Sequence, residues 1–89
     1  MPVNVWHEKV DLTPEIEAYK LGVLTIPELA VKVTEIIKAS KWRQFTPYPD
    51  TFDDHLGRLL QAETEGEYEA AFEYIYDLAD QDRVWIQTF

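Results

Sequence analysis

Two T-x-x-E sequences, each followed by apolar residues at helical spacing, constrain the fold of this chain more than any other feature. Thr25 and Glu28 form the first pair, and Thr64 and Glu67 form the second. This pattern is typical of the capping box, in which the threonine hydroxyl and the glutamate carboxylate accept from backbone N–H groups at the start of a helix. The sequence therefore predicts helices that begin directly after Thr25 and Thr64.

Apolar residues at helical spacing predict which face of each helix is buried. After Thr25 they are Ile26, Leu29, Ala30, Val33, Ile36 and Ile37; after Thr64 they are Tyr68, Ala71, Phe72, Ile75 and Ala79, with Leu78 at the edge. Two further helices are expected, one from Thr13–Pro14 to Gly22 and one after Pro49. Asp50 or Thr51 is the expected cap of the latter, and its expected buried face is Phe52, Leu56, Leu59 and Leu60.

Both ends of the chain have the alternating pattern of a β-strand. Residues 3–10 and residues 83–89 are short runs of this kind, and an isolated pair of strands is stable only when it packs on helices. We therefore predict an α+β, mostly α fold, with about four helices and a two-stranded antiparallel ribbon made by the N- and C-terminal strands. At 89 residues, the whole chain (1–89) is expected to be a single small acidic domain.

The second half of the chain carries all of its excess negative charge. Residues 1–44 contain six acidic and six basic residues, whereas residues 45–89 contain eleven acidic and two basic ones, which gives the net charge of −9. In the last predicted helix Glu69, Glu73, Asp77 and Asp80 share one face, with Tyr76 among them. We call these four carboxylates and Tyr76 the acidic ridge.

The acidic ridge has an ordinary interpretation and two functional ones. It is either the solvated face of an acidic protein, or a protein-binding surface, or an imitation of a row of nucleic-acid phosphates. Like charges at this spacing repel by a few tenths of a kcal/mol per pair, and anions near a helix C-terminus oppose its dipole. A surface that opposes folding is a candidate for binding a basic surface of another protein, and Tyr76 suits such an interface.

A smaller basic cluster, Lys38, Lys41 and Arg43, surrounds Trp42 near the end of the second predicted helix. Cations there compensate the helix dipole. Alternatively, the cluster docks on the acidic ridge of a second copy, with Trp42 and Phe45 as the apolar anchor. A homodimer that buries exposed aromatic rings is a related hypothesis, and its candidate rings are Trp6, Trp42 and Trp85.

Several classes of function have no residues to support them. The chain has no cysteine, one serine (Ser40) and three glycines, so it lacks a thiolate site, a serine nucleophile elbow and a glycine-rich phosphate loop. His7 and His55 have no metal-ligand spacing. We therefore expect no enzyme, no cofactor and no metal, and no direct nucleic-acid binding because no basic footprint exists. Without a signal peptide or a membrane span, a cytoplasmic protein is expected.

The proline-rich segment TPYPD (46–50), the two capped amphipathic helices and the ending YDLADQDRVWI (76–86) resemble a group of small proteins encoded by actinobacterial bacteriophages. This resemblance covers most of the chain. It implies a protein made in an infected bacterial cytoplasm that binds and modulates a host or phage protein. No motif in the resemblance carries known chemistry, so it assigns no functional residue.

Overall fold

A computed structural model describes residues 6–89, which form five helices and two short strands. In chain order these are β1 (Glu8–Asp11), α1 (Thr13–Lys20), α2 (Ile26–Ala39), α3 (Trp42–Phe45), α4 (Pro49–Leu60), α5 (Glu65–Gln81) and β2 (Val84–Gln87). The α+β, mostly helical class is confirmed. The part of the predicted N-terminal strand at residues 3–5 lies outside the described residues.

The two strands pair in parallel, so the predicted antiparallel ribbon is wrong. Glu8 lies opposite Val84, and Asp11 lies opposite Gln87. Backbone hydrogen bonds extend the pairing at both ends, from His7 N to the carbonyl of Arg83 at 2.8 Å and from Leu12 N to Gln87 at 2.8 Å. Only a tight hairpin forces an antiparallel pair; here five helices separate the strands, and a connection that long permits the parallel arrangement.

The core lies between α2, α4, α5 and the inner face of the sheet. Helix α2 packs on α1, α3, α4 and α5, and α5 also packs on α4 and β2. The largest fully buried side chains come from most of these elements: Trp42, Phe52, Leu12, Leu29, Ile37, Leu56, Leu59, Ile75 and Val33. Most of the predicted α2 stripe is buried as expected, except that Ile36 is only partly buried.

The predicted capping box of α2 is confirmed. The N–H of Glu28 donates to Thr25 Oγ1 at 3.4 Å, and the Thr25 N–H donates to Glu28 Oε1 at 2.9 Å. Helix α1 ends at Lys20, and Gly22 follows with a φ of 80°, the left-handed conformation that glycine adopts without steric penalty. Hydrogen bonds from Gly22 N to Tyr19 O and from Val23 N to Ala18 O complete a Schellman motif.

The structure contains one more helix than the four that the sequence predicts. This additional helix is α3, and it directs Trp42 into the core. Trp42 is 1% exposed, so its predicted role as an exposed anchor is wrong. Its ring meets Phe52 edge-on at 4.8 Å, and its indole Nε1 donates to the carboxylate of Asp82 at 2.8 Å. This burial could not be predicted from the sequence, because a helix of four residues is too short to show a periodic pattern.

The starts of α1 and α4 differ from the predicted caps. Thr13 is the first residue of α1 rather than its cap, and its N–H donates to Asp11 Oδ1 at 3.0 Å. Helix α4 begins at Pro49, and Tyr48 precedes it without a side-chain cap, so neither Asp50 nor Thr51 caps it. Because proline is favoured in the first turn, it begins this helix where a polar cap was expected.

Two predicted burial assignments at helix edges are also wrong. Leu60 at the end of α4 is 43% exposed, whereas Leu78, which was predicted at the edge of α5, is buried. The edge of a helical stripe depends on the angle at which neighbouring helices cross, and the sequence pattern does not contain that angle.

Candidate functional site

The candidate site is built on α5, whose start is fixed by the second capping box. The N–H of Glu67 donates to Thr64 Oγ1 at 3.2 Å, and Glu67 Oε1 accepts from the N–H groups of Glu63 and Thr64 at 3.0 and 3.2 Å. Bonds to the Glu63 and Thr64 N–H groups hold the pKa of Glu67 below its usual range. Helix α5 then extends for 17 residues with one face in the core.

All five side chains of the acidic ridge are exposed, as their spacing predicted. They face three different concave regions of the surface. Glu69, Glu73 and Tyr76 line the largest groove of the described chain, and Tyr76 also borders a smaller one with Asp80. Asp77 borders a separate shallow cleft that His55 also lines. The structure therefore brings three of the five predicted residues to one groove.

The ridge carboxylates have no ion-pair partner within residues 6–89. The one ion pair in this range joins Arg43 and Asp53, with Nε–Oδ1 and Nη2–Oδ2 distances of 3.0 and 3.1 Å. Arg58, one of the two basic residues of the second half, lies over the Tyr74 ring at 5.3 Å. The last turn of α5 contains no basic residue that would compensate its dipole. The negative charge of the ridge is therefore left to solvent or to a partner.

The largest groove lies between α1, α5 and the last residues of the chain, and we call it the main groove. Its volume is about 620 Å³, within the ordinary range of ligand-binding clefts. Helix α1 contributes Ile16 and Lys20, and the end of the chain contributes Thr88 and Phe89. Helix α5 contributes chiefly Tyr68, Glu69, Phe72, Glu73 and Tyr76. The main groove thus combines apolar walls with two carboxylates and one lysine.

Three aromatic rings run along the α5 side of the main groove. Tyr68 stacks on Phe72 with centroids 5.5 Å apart, and Phe72 meets Tyr76 edge-on at 4.7 Å. The Tyr76 hydroxyl donates to Thr88 Oγ1 at 3.4 Å, which links α5 to the end of the chain. The row continues from the core to the surface, because Tyr68 is 7% exposed and Tyr76 is 40% exposed.

Tyr68 also carries a polar atom with no partner. Its hydroxyl is buried, and no hydrogen-bond partner is found for it within the described residues. Burial, and secondarily the neighbouring phenol of Tyr76, raises the pKa of Tyr68 far above its ordinary value. A buried hydroxyl without a partner is unfavourable by about 1–3 kcal/mol, so this group lowers the stability of the folded chain.

Sequence reasoning assigned Tyr68 and Phe72 to the core and Tyr76 to the acidic ridge, and it did not predict the main groove. The spacing of these three residues, at i, i+4 and i+8, was a usable signal. An aromatic row that extends from the buried face of a helix onto its charged face is consistent with a groove beside that helix. The contributions of α1 and of the chain end had no sequence signal, because they depend on tertiary packing.

Part of the basic cluster predicted to contact a second copy is engaged within the fold, whereas the side chains of Lys38 and Lys41 are exposed. Arg43 is engaged by Asp53, Trp42 is buried, and the backbone N–H groups of Lys41 and Trp42 donate to the carboxylate of Glu8 at 3.1 and 2.8 Å. Of the proposed anchors in this region, only Phe45 is exposed, at 40%. These contacts give the cluster a structural role, because they bind α3 to β1 and α4.

A separate exposed aromatic pair lies on the outer side of the sheet. Trp6 and Trp85 are 40% and 47% exposed, and their ring centroids are 6.4 Å apart. The ammonium group of Lys9 lies 5.3 Å from the Trp85 ring, within the range of a cation–π contact. Two of the three rings predicted to be exposed are therefore adjacent on one surface.

Metal chemistry has no cluster of ligands to support it among residues 6–89, where no group of three or more His, Asp or Glu side chains converges. His55 stacks on Tyr74 with centroids 5.4 Å apart. Desolvation and, secondarily, the nearby Arg58 lower the pKa of His55, which favours its neutral form. His55 therefore belongs to the packing between α4 and α5.

Comparison of the chain with protein-family models, with curated proteins and with solved structures finds no match. Within residues 6–89, every helix is too short or too polar to cross a lipid bilayer.

Proposed function

We propose that this chain is a small non-enzymatic binding protein that engages a basic surface of another protein through the acidic ridge. One observation carries the proposal: within residues 6–89 the ridge carboxylates on α5 are exposed and have no basic partner. Following the resemblance to phage proteins, the partner is a host or phage protein whose activity this chain modulates in the bacterial cytoplasm.

Electrostatic energy supports this use of the ridge. The carboxylates repel one another when the chain is alone, and a basic surface relieves that repulsion as it binds. This electrostatic attraction mainly raises the association rate, because complementary potentials steer the two proteins toward each other. Tyr76 and the apolar main groove beside it supply contact area that charges alone lack.

Imitation of DNA is a less suitable use of the same surface. The ridge from Glu69 to Asp80 places four carboxylates along about 16 Å of helix, at 1.5 Å per residue. Duplex DNA carries one charge per about 1.7 Å of its axis. A protein that recognises the phosphate rows of a duplex would therefore find too low a charge density on α5.

The test is capture of partners from an actinobacterial lysate by the tagged chain, at low and high ionic strength. We expect recovery of a basic protein to fall steeply between about 50 mM and 500 mM salt, because screening shortens the reach of exposed charges. Added duplex DNA should leave recovery unchanged. Displacement by DNA would instead favour the mimic, and recovery independent of salt would contradict binding through the ridge.

Self-association through the sheet is a second candidate, favoured by the adjacent exposed rings of Trp6 and Trp85. Such a dimer buries apolar area and is insensitive to salt. Sedimentation equilibrium of the wild type and of a Trp85→Ser variant tests it. A dimer that dissociates on substitution supports it, whereas a wild-type monomer at high concentration contradicts it.

A further inference from the structure

The main groove has a combination of groups that matches one amino-acid side chain. It is lined by the aromatic row of Tyr68, Phe72 and Tyr76, of which Tyr76 is the exposed ring, and by the exposed carboxylates Glu69 and Glu73; the buried hydroxyl of Tyr68 has no hydrogen-bond partner within residues 6–89. We propose that the main groove binds an arginine side chain carried by a segment of the partner protein. This inference rests on the proposed function and specifies which part of the acidic ridge determines specificity.

Arginine fits these groups better than lysine does. A guanidinium is planar and can stack on the exposed ring of Tyr76, and it presents several N–H donors in a fixed arrangement. Those donors suit the carboxylates Glu69 and Glu73 as acceptors. A lysine ammonium supplies the same charge, but it neither stacks on a ring nor forms a bidentate pair with a carboxylate.

The volume and the remaining walls of the main groove indicate what accompanies the arginine. A volume of about 620 Å³ exceeds the need of one side chain. Ile16 and Phe89 provide apolar surface, and Lys20 disfavours a second cation at the α1 side. The matching segment therefore carries one arginine with an apolar neighbour rather than a run of basic residues.

The experiment titrates the full chain, observed by two-dimensional amide NMR, with an acetylated and amidated tetrapeptide of sequence leucine-alanine-arginine-leucine. Two control peptides replace the arginine with lysine or with citrulline, its neutral isostere. We expect saturable shifts at residues of α1, α5 and the chain end that border the main groove. The lysine peptide should bind at least about threefold more weakly and the citrulline peptide at least about tenfold more weakly.

Matched variants separate the groove from the general charge of the ridge. Glu69→Gln with Glu73→Gln removes the two carboxylates in the main groove, and Asp77→Asn with Asp80→Asn removes two outside it. Both variants change the net charge equally. The first should weaken arginine-peptide binding about tenfold and the second less than about twofold. Tyr68→Phe removes only a buried hydroxyl and should leave arginine-peptide binding nearly unchanged.

Different results identify which proposal fails. If both double variants weaken binding equally, or the lysine peptide binds as well as the arginine peptide, charge alone drives binding; the groove proposal is then wrong although the ridge function stands. If the arginine peptide causes no saturable shift in the wild type, the groove proposal is also wrong. If, in addition, neither double variant changes recovery of a basic partner from lysate, the proposed function fails as well.

Discussion

At the scale of single residues, the buried carboxylate of Asp82 joins two helices. It follows α5 and is 7% exposed, and its Oδ2 accepts from Trp42 Nε1 at 2.8 Å and from Thr46 Oγ1 at 2.7 Å. The end of α5 is thereby joined to both ends of α3. The acidic residues of the second half thus include a buried structural carboxylate as well as the exposed carboxylates of the ridge.

We predict that Asp82→Ala destabilises the protein by about 2–4 kcal/mol, because two buried donors lose an ionised acceptor. The measurement is urea unfolding followed by circular dichroism. Asp80→Ala is the matched control, since Asp80 is exposed near the same helix end and should change the free energy of unfolding little. Equal effects of the two substitutions would contradict a structural role for Asp82.

Tyr68 gives a prediction about alkaline pH. Its folded-state pKa lies above the value of 10.0 expected in the unfolded chain. Its contribution to stability is therefore complete below pH 10 and is lost as the pH rises above it, because only the unfolded chain ionises readily. Tyr68→Phe removes this contribution. The free energy of unfolding of the variant should therefore fall less between pH 9 and pH 11 than that of the wild type.

The measurement is the free energy of unfolding as a function of alkaline pH. Tyr48→Phe, at an exposed ring, is the control and should follow the wild type. Tyr19 retains a raised pKa in every variant, caused by desolvation and then by the negative charge of Glu65, so part of the alkaline loss persists. A Tyr68→Phe profile that superimposes on that of the wild type would contradict burial of the Tyr68 hydroxyl.

At the scale of elements, α2 is the helix on which most others pack. Substitutions at its fully buried and partly buried positions should therefore destabilise the chain to different extents. Val33 is fully buried and Ile36 only partly so. A buried unpaired charge costs several kcal/mol against a total stability of about 5–15 kcal/mol, so Val33→Asp should unfold the chain. Ile36→Asp should lower the melting temperature without abolishing cooperative unfolding, because its carboxylate reaches solvent.

Circular dichroism melting of both variants is the measurement. Val31→Asp, at an exposed position of the same helix, is the control and should melt near the wild-type temperature. A Val33→Asp chain that melts cooperatively near the wild type would mean that the buried face of α2 is assigned wrongly.

The elements also show what the sequence could and could not predict. The long helices α2 and α5 were predictable because a capping box fixes their starts and a stripe of apolar residues fixes their inner faces. Helix α3 was not, because its four residues depend on the Glu8 carboxylate, which accepts from its first N–H groups across the fold. The parallel direction of β2 likewise depends on the position in the fold at which α5 ends. No local sequence pattern indicates that position.

At the scale of the whole molecule, the candidate site was only half predictable. The exposed carboxylates of the acidic ridge follow from helical periodicity, and their exposure is confirmed. The main groove beside them requires that α1 and the last residues of the chain come to rest against α5. The positions of the charges are thus set by one helix, α5. The groove that would make binding specific forms only when the whole chain has folded.

The carboxylates of the acidic ridge are proposed to bind a basic partner and to contribute nothing favourable to folding. A paired measurement of melting temperature and partner recovery tests this proposal most directly, on a variant with Glu73→Gln and Asp77→Asn. The control carries Glu17→Gln and Glu35→Gln, two exposed substitutions elsewhere with the same change in net charge.

We expect the ridge variant to melt at the wild-type temperature or slightly above it, because like-charge repulsion is relieved. It should recover much less of the basic partner, while the control recovers nearly as much as the wild type. A ridge variant that is as stable as the wild type and recovers its partner undiminished would contradict the account, and the acidic ridge would then be a solvated surface.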